Sequence, residues 1–322
     1  MSVASSPMKV GLLVGREHSF PPAFIDAVNV AGAAHGITAE MVTFAGTRMD
    51  DPARYRVIVD RISHEVEYYR GALKHAVLQG TYVINNPFWW TADDKFFNYA
   101  VAQRIGVAVP KTVVLPQKSY PADVDLTSES LRNLGYPIDW DGLLDYVGRP
   151  AILKPYSGGG WKHVYKVHDK EELLAAYDNT GPYCMTLQEF IRFDKYVRCF
   201  TFGKTDITPV RYDVDQRCYL VEHEYLDAEL GERIVRDAQT LNSALGYEMN
   251  TIEFAVQDGI PYAIDFLNPA PDFERDRITP HYFELVLEKM TNLVIDRALS
   301  GKASQTWPRW AQMTGLSNGS PI

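Results

Sequence analysis

The sequence predicts an α/β first domain followed by an α+β region. Three observations predict it. From Lys9 to Val59, short apolar runs of strand type alternate with a stretch of helical periodicity, the order expected of a parallel sheet flanked by helices. From Cys184 to Tyr212, strand-type runs follow one another with no helix between them, which reads as antiparallel pairing. Two hairpin signals complete the pattern, Ser157-Gly158-Gly159-Gly160 after the run Ala151 to Pro155, and Asp258-Gly259 between the last two strands.

Taken in order, Lys9 to Val14 is a buried-type strand, Gly15 a break, and Pro22 to His35 a helix. Strands at Ile37 to Phe44 and Tyr55 to Val59 follow, the latter ending in Asp60-Arg61, where open α/β sheets place ligand contacts. The first turn lacks Gly-x-Gly-x-x-Gly, which argues against a dinucleotide site. A helix over Glu67 to Gln79, a strand Tyr82 to Ile84 and a helix ending near Gly106, capped by Thr91 or Asp93, come next. Val107 to Thr112 is an extended connector, and prolines between Pro116 and Asp123 mark a boundary. Thr127 to Val147 is polar with one helix.

After the glycine hairpin, Asp169 to Asn179 is an amphipathic helix, and Cys184 to Ile191, Asp194 to Phe202 and Asp206 to Tyr212 are strands. Gly231 to Leu245 is a helix stopped by Gly246. Strands Asn250 to Gln257 and Pro261 to Phe266 precede a final helix, His281 to Ala298. The tail from Ser300, with Trp307 and Trp310, is expected to be loosely held.

Composition narrows the function. A net charge of -9 argues against a nucleic-acid partner, so an anionic ligand must be met by a local cationic cluster. Cys184, Cys199 and Cys218 have no metal-type spacing and suggest a reducing compartment. No run is long and apolar enough to span a bilayer, and the N-terminus is unlike a signal peptide, so a cytoplasmic protein is expected.

Two stretches carry chemistry. Three glycines let backbone N–H groups approach an anion, and Lys154 just before them is placed to reach the same anion; the same glycines also suit a plain turn. Glu253, in Thr-Ile-Glu-Phe-Ala-Val, and Asp265, in Tyr-Ala-Ile-Asp-Phe-Leu-Asn, are acids inside apolar strands, costly to bury unless a cation meets them. With Asn268 they form a hard-oxygen set suited to Mg²⁺.

The order of these motifs, from Lys9 to Ala298, resembles the ATP-grasp superfamily, of the glutathione synthetase or ribosomal-protein glutamate ligase type. The resemblance implies a Rossmann-like domain over 1–118 and an ATP-grasp domain over 119–300, divided into a lid-like subdomain (119–190) and a metal-bearing one (191–300), with a tail over 301–322. It implies phosphate-binding Lys95 and Lys154, a flexible loop Ser157, Gly158, Gly159 and Gly160, and an adenine-reading linker Gln188, Glu189, Phe190 and Ile191. Asp194 is implied for the ribose, Arg198 and Arg211 with Lys154 for catalysis on the transferred phosphoryl group, and Glu253, Asp265 and Asn268 for metal. Two features depart from the family. Asp265 and Asn268 stand three apart where the family has two, which calls for a bulge, and Trp161 follows the glycines as either a lid or a packed ring.

The resemblance further implies ATP and Mg²⁺ (or Mn²⁺) as cofactors, an acyl-phosphate mechanism joining a small-molecule or peptide carboxylate to an amine or thiol, and a homodimer. The alternative of a different class is a non-catalytic ATP-binding or regulatory module. Substrate contacts are expected from Arg16, Glu17, His18, Arg61, Asn86 and the polar stretch Tyr212 to Tyr225; Phe88-Trp89-Trp90 serves either a pocket for an apolar or aromatic group or the core or a subunit contact, and His163 and His223 serve either substrate or the solvated surface.

Overall fold

A computed structural model describes residues 7–89, 94–121, 125–157, 162–222 and 224–305. The expectations for Thr91, Asp93, Gly158 to Gly160, Trp90, Trp161, His223, Trp307 and Trp310 lie outside the described residues. The chain is mixed α/β and divides into two bodies, one of Met1–Trp90, Val197–Ile252 and Phe266–Ile322, the other of Thr91–Tyr196 and Glu253–Asp265.

The larger body opens with β1 (Met8–Leu13), α1 (Phe20–Gly32), β2 (Ile37–Met41), β3 (Val57–Asp60), α2 (Glu67–Leu78) and β4 (Tyr82–Ile84). The strands form a parallel sheet in the order β2-β1-β3-β4. The fully buried character of the central β3 follows from helices covering such a sheet, while the edge strand β2 alternates buried and exposed. The buried side chains of β1 and α1, among them Val10, Leu12, Phe20, Phe24 and Val28, join one core with Phe200, Phe202, Phe273 and Phe283. The last two lie outside the β-strands, Phe283 in the final helix, α7 (Arg275–Ser300).

Ser19 precedes α1 but makes no capping bond with its own side chain. Glu274, distant in sequence, does the capping. Its carboxylate accepts from the backbone N–H groups of His18 (3.1 Å), Ser19 (2.9 Å) and Phe20 (3.2 Å) and from the Ser19 hydroxyl (2.8 Å). The Ser19 hydroxyl oxygen in turn accepts from the Arg275 N–H at 3.0 Å. Burial works to raise the Glu274 carboxyl, yet the hydrogen bonds from Ser19, Phe20 and His18 outweigh it and hold the group below the ordinary carboxylate range. The final helix is broken where Thr279 takes φ 69° before Pro280, because the proline ring disfavours helical geometry in the residue ahead of it. The regular helix therefore resumes at Pro280, next to the expected start.

The larger body also holds most of β9 (Lys195–Phe202), with β10 (Asp206–Asp213) and β11 (Cys218–Leu220) in antiparallel succession. The short β11 was not expected, since it lies in a stretch read as polar. Helix α6 (Ala228–Leu245) ends at Gly246 in the left-handed conformation, φ 78°, as expected; a Cβ there would stand 3.1 Å from the Trp89 ring. The start of β12 (Met249–Gln257) completes this body.

The smaller body contains α3 (Lys95–Arg104), β5 (Thr112–Leu115), α4 (Trp140–Val147), β6 (Ala151–Pro155), β7 (Tyr165–Val167), α5 (Lys170–Asp178) and β8 (Met185–Glu189). Its four-stranded sheet runs β5-β8-β6-β7, antiparallel throughout. The sheet covers a core of Leu115, Leu144, Leu153, Leu173 and Leu187. Strand β5 pairs with β8, although the expected partition assigns it to the first domain. The hairpin of β12 and β13 (Ile260–Asp265) belongs to this body from Glu253 onward. No helix among the described residues is long and apolar enough to cross a membrane.

Glu274→Ala is expected to lower stability by about 1–3 kcal/mol, the cost of leaving buried donors unmet. The same carboxylate, ionised more readily in the folded than in the unfolded chain, contributes stability above its unfolded pKa and loses it as pH falls through the folded one. Urea melts of wild type and Glu274→Gln should therefore converge as pH drops below about 4.

Candidate functional site

Strand β6 carries Lys154 and helix α3 begins with Lys95. The α3 start is set by Asp94, whose carboxylate accepts from the Phe97 N–H at 3.0 Å. An acid next to the first helical residue reaches the third N–H of the helix. The Asp94 carboxylate also takes the Tyr156 hydroxyl, and burial together with this bond pushes the Tyr156 phenol up to about 12. The Lys95 N–H meets the Tyr156 carbonyl at 3.4 Å, so the first turn of α3 is tied to the end of β6.

The closing hairpin supplies the acids. Glu253 and Asp265 are direct cross-strand partners, and the register slips between Glu253 and Phe254. A bulge was expected between Asp265 and Asn268; the one observed lies on the same strand but before Asp265, where Ile264 has no partner across the ladder. Lys95 Nζ stands 3.4 Å from an Asp265 carboxylate oxygen, and Tyr196 donates its hydroxyl to Glu253. Lys154 Nζ donates to the Tyr99 hydroxyl oxygen at 2.9 Å and to the Ile264 carbonyl at 3.2 Å. Its ammonium lies 5.2 Å from the Tyr99 ring centroid. Burial lowers the Lys154 pKa below the ordinary lysine value, a shift only partly opposed by the charges of Asp265 and Glu253.

Four residues expected in a phosphate and metal site, Lys95, Lys154, Glu253 and Asp265, thus stand together in one body. Tyr99 and Tyr196 join them without having been foreseen. For Tyr99 the signal was present: it lies four residues after Lys95, on the same helix face.

The linker leaves β8 at Glu189. Gln188 and Glu189 remain in the ladder, opposite Ile152 and Ala151, and the Gln188 amide donates to the Thr112 hydroxyl at 2.8 Å. Phe190 lies under the Lys166 ammonium, 4.0 Å from its ring centroid, and Ile191 is buried. Asp194 is exposed, its N–H bound to the Val256 carbonyl at 3.0 Å. Ser157 is exposed at the end of β6.

Arg198, Arg211 and Asn268 belong to the larger body. Arg198 stacks 3.7 Å from the Tyr212 ring centroid and donates to the Tyr219 hydroxyl at 3.2 Å. Arg211 is paired with Glu222 and lies 4.9 Å from the Tyr225 ring centroid. Asn268 is exposed; its N–H is held by the Asn250 side chain at 2.8 Å, and that same side chain donates to the Phe266 carbonyl at 2.8 Å. Glu17 and Arg61 form an ion pair in this body, with the Arg61 guanidinium 4.5 Å from the Phe273 ring centroid. Among the described residues, no three His, Cys, Asp or Glu side chains are grouped to hold a metal ion. Two carboxylates facing across a hairpin are nevertheless the donor chemistry that Mg²⁺ uses when water and phosphate complete its shell.

No protein-family model matches the chain. Among curated proteins it is similar to D-alanine–D-alanine ligase A of Bacillus cereus, 24% identical over 172 residues, 48% of this chain and 57% of that protein. The match therefore spans little more than half the length of that relative. Among solved structures it is similar to D-alanine–D-alanine ligase of Bacillus anthracis complexed with ATP, with a TM-score of 0.59 and 19% identity, covering 92% of this chain and 98% of that one. It is also similar to a RimK domain ATP-grasp protein of Sphaerobacter thermophilus, with a TM-score of 0.61 and 17% identity over 90% of this chain and 99% of that one. At these identities the likeness is one of fold.

Lys154→Met should leave the melting temperature at pH 7 unchanged or raised, since a buried ammonium costs stability. With its pKa depressed in the folded state, the wild-type lysine makes unfolding take up a proton as pH approaches 10.5, so stability rises with pH in that window. The variant should lose that rise in a melting series from pH 7 to 10.

Proposed function

We propose that this chain, which has the ATP-grasp fold, is an ATP-dependent carboxylate–amine ligase that works through an acyl phosphate. The observation that carries the reading is the meeting of Lys95 and Lys154 with Asp265 and Glu253 in one body. Two ammonium groups and two carboxylates balance one another there. The same set complements a polyphosphate on its cationic side and a divalent cation on its anionic side.

In this reading Lys95 and Lys154 hold phosphate oxygens, and backbone N–H groups of Ser157 to Gly160 serve the same anion. Gln188 to Ile191 border the adenine and Asp194 the ribose. Glu253 and Asp265, with Asn268, would hold Mg²⁺, which would supply positive charge to neutralise phosphate oxygens. A substrate carboxylate oxygen attacks the γ-phosphorus, the bond to the β-phosphate oxygen breaks, and ADP leaves with that electron pair. Arg198, Arg211 and Lys154 stabilise charge on the transferred group. An amine, or a thiol, then attacks the acyl carbon, giving up a proton, and inorganic phosphate departs. No side-chain nucleophile is required, which agrees with a chain lacking a His-Glu-x-x-His motif.

Two of the proteins named above are D-alanine–D-alanine ligases, so amino acids are the first substrates to test. A cytoplasmic location and a homodimer remain part of the proposal. A second reading, a nucleotide-binding module without turnover, is favoured by one observation: the three-residue offset of Asn268 from Asp265, with Asn268 held through Asn250.

Incubation with ATP, Mg²⁺ and pools of D- and L-amino acids should release ADP and phosphate in at least one pool. Glu253→Gln and Asp265→Asn should each cut that rate by roughly 10²-fold or more. Tight ATP binding with no pool above background would favour the module and defeat the ligase.

A further inference from the structure

Tyr99 is 4% exposed, and a phenylalanine would fill the same space. Its hydroxyl is the costly part, since a buried polar group is unfavourable unless it is bonded. Here it is bonded on several sides. It donates to the Ile264 carbonyl and accepts from Lys154 Nζ at 2.9 Å, and the Gln188 side chain hydrogen-bonds to it as well. Ile264 immediately precedes Asp265, which receives Lys95 Nζ at 3.4 Å. One phenol therefore links the strand of Lys154, the strand of Asp265 and the linker strand, while standing on the helix that begins with Lys95.

We propose that Tyr99 is a positioning residue that aims the Lys154 ammonium at a polyphosphate. The inference rests on the ATP reading above. An ammonium has three donors. Tyr99 and the Ile264 carbonyl take two of them, which sets the direction of the third. The Tyr99 hydroxyl and the Ile264 carbonyl thus restrain one cation together. Without the hydroxyl, Lys154 keeps its charge and its carbonyl partner but loses one of the two anchors that orient it. Tyr99 touches neither adenine nor substrate in this account, and it acts only through Lys154.

Calorimetric titration of the full chain with adenosine, ADP and Mg²⁺-ATP, for wild type and Tyr99→Phe, tests this. The expected result is about a tenfold loss of ATP and ADP affinity with adenosine affinity unchanged and the melting temperature retained, since a hydrogen bond to a charged group is removed. An equal loss for adenosine and ATP would indicate a merely structural tyrosine and overturn the proposal. So would an unchanged ATP affinity in Tyr99→Phe. Wild-type protein that binds no ATP at all would instead overturn the ATP reading, and this inference with it.

Discussion

The candidate site depends on the cost of holding a lysine ammonium out of water. Lys154 is recessed enough for burial to depress its pKa, and the carboxylates of Asp265 and Glu253 recover only part of that loss. Such a group is retained at a net cost to stability, as is common where charge is needed for work. The surroundings of Lys154 make sense on that basis. A hydroxyl and a carbonyl satisfy the ammonium without neutralising it. Its charge is left available to an incoming anion.

The rest of the smaller body holds this arrangement in place. Antiparallel pairing of β6 with β8 fixes the height of Lys154, and the N–H of Ala263, bonded to the Ala108 carbonyl at 2.8 Å, fixes β13. Asp94 starts α3 and, through the Tyr156 hydroxyl, ties Lys95 to the strand of Lys154. In the larger body a different carboxylate serves folding. Glu274 caps a helix that its own sequence neighbourhood leaves uncapped, and the bond from Arg275 to Ser19 makes the join reciprocal.

Much of the fold was legible because its signals are local. Alternation of apolar runs marked the parallel strands, Gly246 stopped α6 in the left-handed region, and Asp258-Gly259 closed the last hairpin. What was missed had weak local signals. Strand β11 is three residues long and sits among polar neighbours, so no period could reveal it. The start of the last helix was obscured because Arg275 to Ile278 forms a separate turn ahead of the break at Thr279. In the site, the lysines and acids stood out as charges within or beside apolar runs. Tyr99 and Tyr196 did not, because a tyrosine in a core needs no explanation until its hydroxyl partner is seen.

The sequence by itself determined the class of architecture, the order of its elements and the residue types able to meet phosphate and a divalent cation, since periodicity, turn chemistry and charge are all written locally. Tertiary structure alone decided which of those charges meet. Register across the hairpin set Glu253 opposite Asp265, the placement of α3 brought Lys95 to Asp265, and packing put the Tyr99 hydroxyl against Lys154. These pairings join residues as far as 170 positions apart. The physical reason is that hydrogen bonds and ion pairs act over a few ångströms of space, and no pattern along the chain encodes a distance between segments that only folding brings together.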